Sequence, residues 1–127
     1  MTLEELQHIR QQGIDFGRKG LYEDALLNLY RAFNASEDHP EFQVKAALDL
    51  GVLYRMLEKY SAAGEMLEIV EQNSGRHSVE RFTAHLERAI ISYRKKDLGG
   101  AEQSLAMAES EDCKEIAAFL RKHGATK

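Results

Sequence analysis

Apolar residues recur along this chain at intervals of three and four, with charged residues filling the gaps. Tyr22, Ala25, Leu29 and Ala32 keep that spacing, as do Cys113, Ile116, Ala117 and Leu120. Such a stripe lies on one face of an α-helix, because 3.6 residues complete a turn. No segment shows the period-two alternation of a half-buried strand, so the expected class is all-α. Punctuation between the stripes divides the chain into helices. Thr2 and Glu5 form a capping-box pattern opening a helix over about residues 3–19, and Gly20 separates it from a second over about 22–35. Pro40 suits the first position of a helix reaching about 57, and a fourth spans about 60–73. Ser78 caps a fifth, to about 96, and a sixth follows over about 98–109. Ser110, Glu111 and Asp112 open a seventh over about 111–123, closed by Gly124.

The stripes repeat. Ala25, Ala63 and Ala101 share a step of 38, as do Leu29, Leu67 and Leu105, and Tyr22, Tyr60 and Leu98. On the preceding helices Gly13 matches Gly51, and Phe16 matches Tyr54. One helix pair per fixed period is the pattern of a stacked helical repeat. The expected architecture is an α-solenoid of stacked antiparallel helix pairs, seven helices in a single domain over 1–127. Its repeats cover about 3–35, 40–73 and 79–109. Gly13, Gly51, Ala25 and Ala63 would lie where paired helices cross, since small residues let the axes approach. In the third pair a step of 38 from Ala47, Leu50, Gly51 and Tyr54 lands on His85, Arg88, Ala89 and Ser92, a poor core face. A step of 39 gives Leu86, Ala89, Ile90 and Tyr93, an apolar stripe. The turn within that pair is therefore expected to be one residue shorter.

These residues resemble the tetratricopeptide repeat family. Leu50, Gly51 and Tyr54 match its Leu-Gly-x-x-Tyr element, and Ala63 with Leu67 matches its Ala-x-x-x-Phe element with Leu for Phe. The first repeat carries the pattern in Gly13, Phe16, Gly20, Tyr22, Ala25, Leu29 and Ala32. The likeness covers residues 3 to about 109, and the last helix looks like the solvating cap of such arrays. Two departures stand out: the period exceeds the family's ~34 residues, and the chain has no Trp. The resemblance implies a right-handed stack whose first helices line a concave groove for extended peptides. On it, the groove residues would be Arg10, Ile14 and Arg18, then Leu48, Val52, Arg55 and Met56, then Ile91 and Arg94. Some members clamp the C-terminal carboxylate of heat-shock chaperones with Lys, Asn and Arg. Here Ile14 and Asp49 replace the expected asparagines, so that partner is not expected.

Charge and composition narrow the function. A net charge of −4 gives no bulk attraction to nucleic acid or anionic lipid. No apolar run approaches the ~20 residues of a membrane span, and the N-terminus does not read as a signal peptide. With a single cysteine, Cys113, no intrachain disulfide forms, and a cytoplasmic protein is expected. No pair of histidines has the i, i+4 spacing of a helical metal site, and no nucleophile–base constellation appears. The reading is therefore non-catalytic, with no metal and no cofactor. The cations are sorted by layer. First helices (3–19, 40–57, 79–96) hold ten Lys/Arg against seven Asp/Glu, whereas second helices hold one, Arg31, against seven. A groove for an acidic, partly apolar peptide or helix of another protein follows, as in an adaptor or chaperone-like module. The alternative is a self-assembling homo-oligomeric scaffold. Leu27 and Tyr30 are replaced 38 residues later by Glu65 and Glu68, which points to a solvent-facing position and two readings of the pair: a self-association patch, or two apolar residues tucked under the N-terminal helix.

Overall fold

The computed structural model describes residues 1–75 and 78–110. Every regular element among them is an α-helix: α1 Leu3–Arg18, α2 Tyr22–Asn34, α3 Pro40–Met56, α4 Tyr60–Asn73, α5 Val79–Arg94 and α6 Leu98–Ser110. The helix expected over 111–123 lies outside the described residues. Among the described residues no helix is long and apolar enough to cross a membrane.

Local chemistry sets the helix starts. The Thr2 hydroxyl oxygen accepts from the Glu5 backbone N–H at 3.2 Å, while the Glu5 carboxylate reaches back to the Thr2 N–H. Pro40 opens α3, where its missing N–H leaves no bond unmade. Ser78 accepts from the Arg81 N–H at 3.2 Å and donates to the Gly75 carbonyl at 2.8 Å.

The ends of the first helices are alike. Gly20, Glu58 and Lys96, 38 residues apart in turn, have φ of 78°, 61° and 62°. After each, a backbone N–H reaches five residues back: Leu21 to Phe16 at 2.9 Å, Lys59 to Tyr54 at 2.9 Å and Asp97 to Ser92 at 2.7 Å. The left-handed residue itself bonds back three: Gly20 to Gly17, Glu58 to Arg55 and Lys96 to Tyr93. This is the Schellman closure, three times over. The third turn is thus no shorter than the others, contrary to the expectation from hydrophobicity. The buried face of α5 carries Phe82, Ala84, His85, Ala89 and Ile91. These stand 38 residues after Val44, Ala46, Ala47, Gly51 and Leu53, all buried in α3. Leu86, Ile90 and Tyr93 are only half-buried. The hydrogen-bonded turn sets the phase of the helix, and the apolar stripe yields to it. The consequence is a fully buried His85.

Residues Met1–Asn73 form one compact unit, and a second begins at Ser74. In the first, α1 packs on α2, α2 on α3 and α3 on α4, and α1 also touches α3. Both hairpins of this unit close on a glycine. A Cβ at Gly13 would stand 2.9 Å from Leu29 Cγ and 3.4 Å from the Ala25 carbonyl oxygen. At Gly51 it would stand 2.9 Å from Leu67 Cδ2. Leu6, Ile9, Ala32, Phe42 and Ala46 tie α1, α2 and α3 into a core, with Phe33 and Ala35 packed against it. The Phe33 carbonyl, near the end of α2, accepts from the Ser36 hydroxyl at 2.8 Å and the Gln43 amide at 3.2 Å. In the second unit α5 packs on α6, whose start is held by Asp97 Oδ1 accepting from the Gly100 N–H at 3.0 Å.

Two predictions follow from this geometry. Glu58→Gly relieves a left-handed non-glycine residue and should stabilise the chain by about 1 kcal/mol, while Gly20→Ala should destabilise it by a similar amount. Urea titrations of the two variants test the opposite signs. Ala63 is fully buried beside the α3–α4 crossing, so Ala63→Asp leaves a charge without a partner. A loss of about 3–5 kcal/mol is expected, a large part of a stability near 5–15, and thermal melting by circular dichroism reads it.

Candidate functional site: a furrow parted by an ion pair

Within the first unit, α1 and α3 face each other across a furrow. Midway, the Arg10 guanidinium spans it: Nε donates to Asp49 Oδ2, and Nη2 donates to Asp49 Oδ1 at 3.2 Å. The two side chains are 32% and 20% exposed. The fork of two parallel bonds is the strong geometry for this pairing. Burial pushes the Asp49 carboxyl above the ordinary aspartate value, outweighing the hydrogen bond and charge of Arg10, which pull it down. The bond to Asp49 in turn holds the Arg10 proton more firmly. A carboxyl raised in this way adds stability while protonated, below the ordinary aspartate range. That stability is lost as pH rises through its folded value.

The pair divides the furrow into two clefts. The first, of about 550 Å³, lies toward the helix N-termini and is mixed in character, with Leu3, Gln7 and Arg10 on one side and Pro40, Glu41, Phe42 and Lys45 on the other. The second, of about 370 Å³, lies toward the C-termini. Ile14, Val52 and Met56 form its apolar walls, Gly13, Gly17 and Ala25 lie along it, and Asp49 and Arg18 are its polar lining. Arg10 lines the first cleft and Asp49 the second. A Cβ at Gly17 would meet only the Ala25 Cβ, at 3.9 Å, so that glycine leaves space that the helix crossing does not require.

Of the residues expected to line a groove, the structure brings four together here: Ile14, Arg18, Val52 and Met56. Arg18 is exposed and Met56 is 48% exposed. Arg10 differs from expectation, because its charge is already matched by Asp49. Leu48 is half-buried on α3 and Arg55 half-buried with a partner of its own; neither is among the residues lining the two clefts. Ile91, in the second unit, is a core residue at 9% exposure, because the step is 38 and it follows Leu53. The position equivalent to Ile14 and Val52 is Ile90, half-buried like them, and Arg94 follows Arg18 and Met56, exposed. The role of Asp49 escaped the sequence reading. Its only signal was a carboxylate on a neighbouring first helix, one position off the step from Arg10. The cation surplus of the first helices also proves uneven. Residues 3–19 and 40–57 are balanced, at three against three and two against two, and the excess of five over two falls in 79–96.

On α2, Leu27 is 71% and Tyr30 44% exposed, and Glu65 and Glu68 at the same positions of α4 are exposed too. Among the described residues no three His, Cys, Asp or Glu side chains gather as a metal ion would require. Compared with known proteins, the chain matches no family model, no curated protein and no solved structure.

The ion pair can be tested by NMR titration of the Asp49 carboxyl. Its midpoint should lie above the ordinary 3.8, and in Arg10→Gln it should move higher still, because burial remains while both stabilising contributions of Arg10 are lost. A midpoint that falls in Arg10→Gln would contradict the assignment.

Proposed function

We propose that this chain is a non-catalytic protein-interaction module, a stack of three tetratricopeptide-like repeats with a C-terminal cap helix. It binds a peptide segment or helix of another protein along its first helices, in the manner of a cytoplasmic adaptor or chaperone-like binder. The 38-residue recurrence of turns, crossings and buried positions supports the repeat reading. The observation that carries the function is the second cleft, an apolar-walled hollow with Arg18 exposed at its edge. A cleft of this kind anchors one apolar side chain, and an exposed arginine beside it pairs with one carboxylate of the same ligand. The preferred ligand is therefore apolar first and acidic second, because Arg10 is neutralised by Asp49 and the furrow has no cation surplus. The exposed Leu27 and Tyr30 favour a second property, self-association, on a helix outside the furrow.

The test is selection of a random displayed peptide library on the full chain, followed by affinity measurements on the peptides recovered. Gly17→Leu fills the cleft while improving helix propensity, so it should weaken binding by about tenfold or more without loss of stability. Met56→Glu should act similarly, and Arg18→Glu should weaken binding several-fold and remove part of its salt dependence. Glu68→Arg, on α4, should leave affinity unchanged. A library that yields no binder, or peptides that bind Gly17→Leu as tightly as wild type, would overturn the proposal.

A further inference from the structure

The outer face of α2 has a composition that the fold does not ask for. Asn28 turns toward α1, donating to Gln12 Oε1 at 3.4 Å, while Leu27 and Tyr30 stand exposed. The same two positions of α4 are glutamates in solvent, so a hairpin of this design closes without apolar residues there. Leu27, Tyr30, Arg31 and Asn34 surround a hollow of about 540 Å³. Their spacing is i, i+3, i+4, i+7, the four-residue hole that accepts a knob from a facing helix. Charge is distributed along the same helix with opposite signs at its ends. Glu23 and Asp24 lie exposed in its first turn, and Arg31 lies exposed in its last.

We infer that this face is a two-fold interface with a second copy of the chain, α2 packing antiparallel on α2. Leu27 of each copy enters the hole between Leu27, Tyr30, Arg31 and Asn34 of the other. An isologous contact demands a surface that complements itself, and a helix acidic at one end and basic at the other meets that demand only when paired antiparallel. With Leu27 seated in the hole, Arg31 of one copy lies about one turn, ~5 Å along the axis, from Glu23 of the other, within reach of its long side chain. Asn34 of the copy that supplies Arg31 comes opposite the same carboxylate. A contact confined to one three-turn helix is small, so the association is concentration-dependent and not obligate. The furrow between α1 and α3 takes no part in it.

Sedimentation velocity of the full chain, over a concentration series reaching about 1 mM, reads the equilibrium. Wild type should shift from monomer toward dimer, and no further. Leu27→Glu with Tyr30→Glu, which copies α4, should remain monomeric with unchanged circular dichroism. Arg31→Glu and Glu23→Arg should each weaken the dimer several-fold, whereas the two changes combined in one chain should restore it, since both contacts are then reversed together. A wild type monomeric throughout overturns the inference and leaves the face to a different protein. So does a dimer that survives the double glutamate variant, or a charge reversal that fails to restore association.

Discussion

Two helices of a hairpin approach only as closely as the side chains between them allow, and in both hairpins of the first unit a missing Cβ sets that distance. Gly13 lies against Leu29, and Gly51 against Leu67, each too close for any larger residue without the leucine moving. Close approach alone would still let one helix rotate against the other. The Schellman turn removes that freedom, because its two hydrogen bonds fix where the first helix ends and the second begins. In the first two pairs, contact and turn together set the phase of both helices. The furrow residues are those left facing outward once that phase is set.

That dependence explains what could be read from the sequence and what could not. Helix positions were legible because each start carries its own chemistry, as Thr2, Pro40 and Ser78 do. The crossings were legible because small residues recur at a constant step. The face of α5 was not, since hydrophobicity favoured Leu86 and Ile90 whereas the turn at Lys96 imposes His85 and Ile91. A turn made by backbone hydrogen bonds leaves little trace in side-chain letters when glutamate or lysine stands where glycine would. Among the site residues, Ile14, Val52 and Met56 share a stripe and were visible. The match of Arg10 with Asp49 joins two helices 39 residues apart and required knowing which faces meet.

The ion pair also alters what the sorted charges mean. Counting cations by layer treats each as available, yet Arg10 is held by a carboxylate that burial has made reluctant to ionise. Arg10 therefore offers a ligand no free charge, and competing for it would mean displacing Asp49 into a half-buried furrow. Arg18 has no such restraint, and it stands where the walls are apolar. In the second cleft the one cation is thus Arg18, beside an apolar wall, and the surplus of cations counted over the first helices is absent from α1 and α3.

Because Arg10 and Asp49 bridge the furrow, they also act as a spacer. Along α3 the first cleft centres near Phe42 and the second near Val52, ten residues and roughly 15 Å apart at the helical rise. An extended chain advances about 3.3 Å per residue, so one strand filling both hollows would place its anchoring side chains four or five residues apart. A helical segment covers the same span in about ten residues, or nearly three turns. The two kinds of guest would therefore present different letter spacings to the same pair of hollows, and the motif they share would be a distance instead of a sequence.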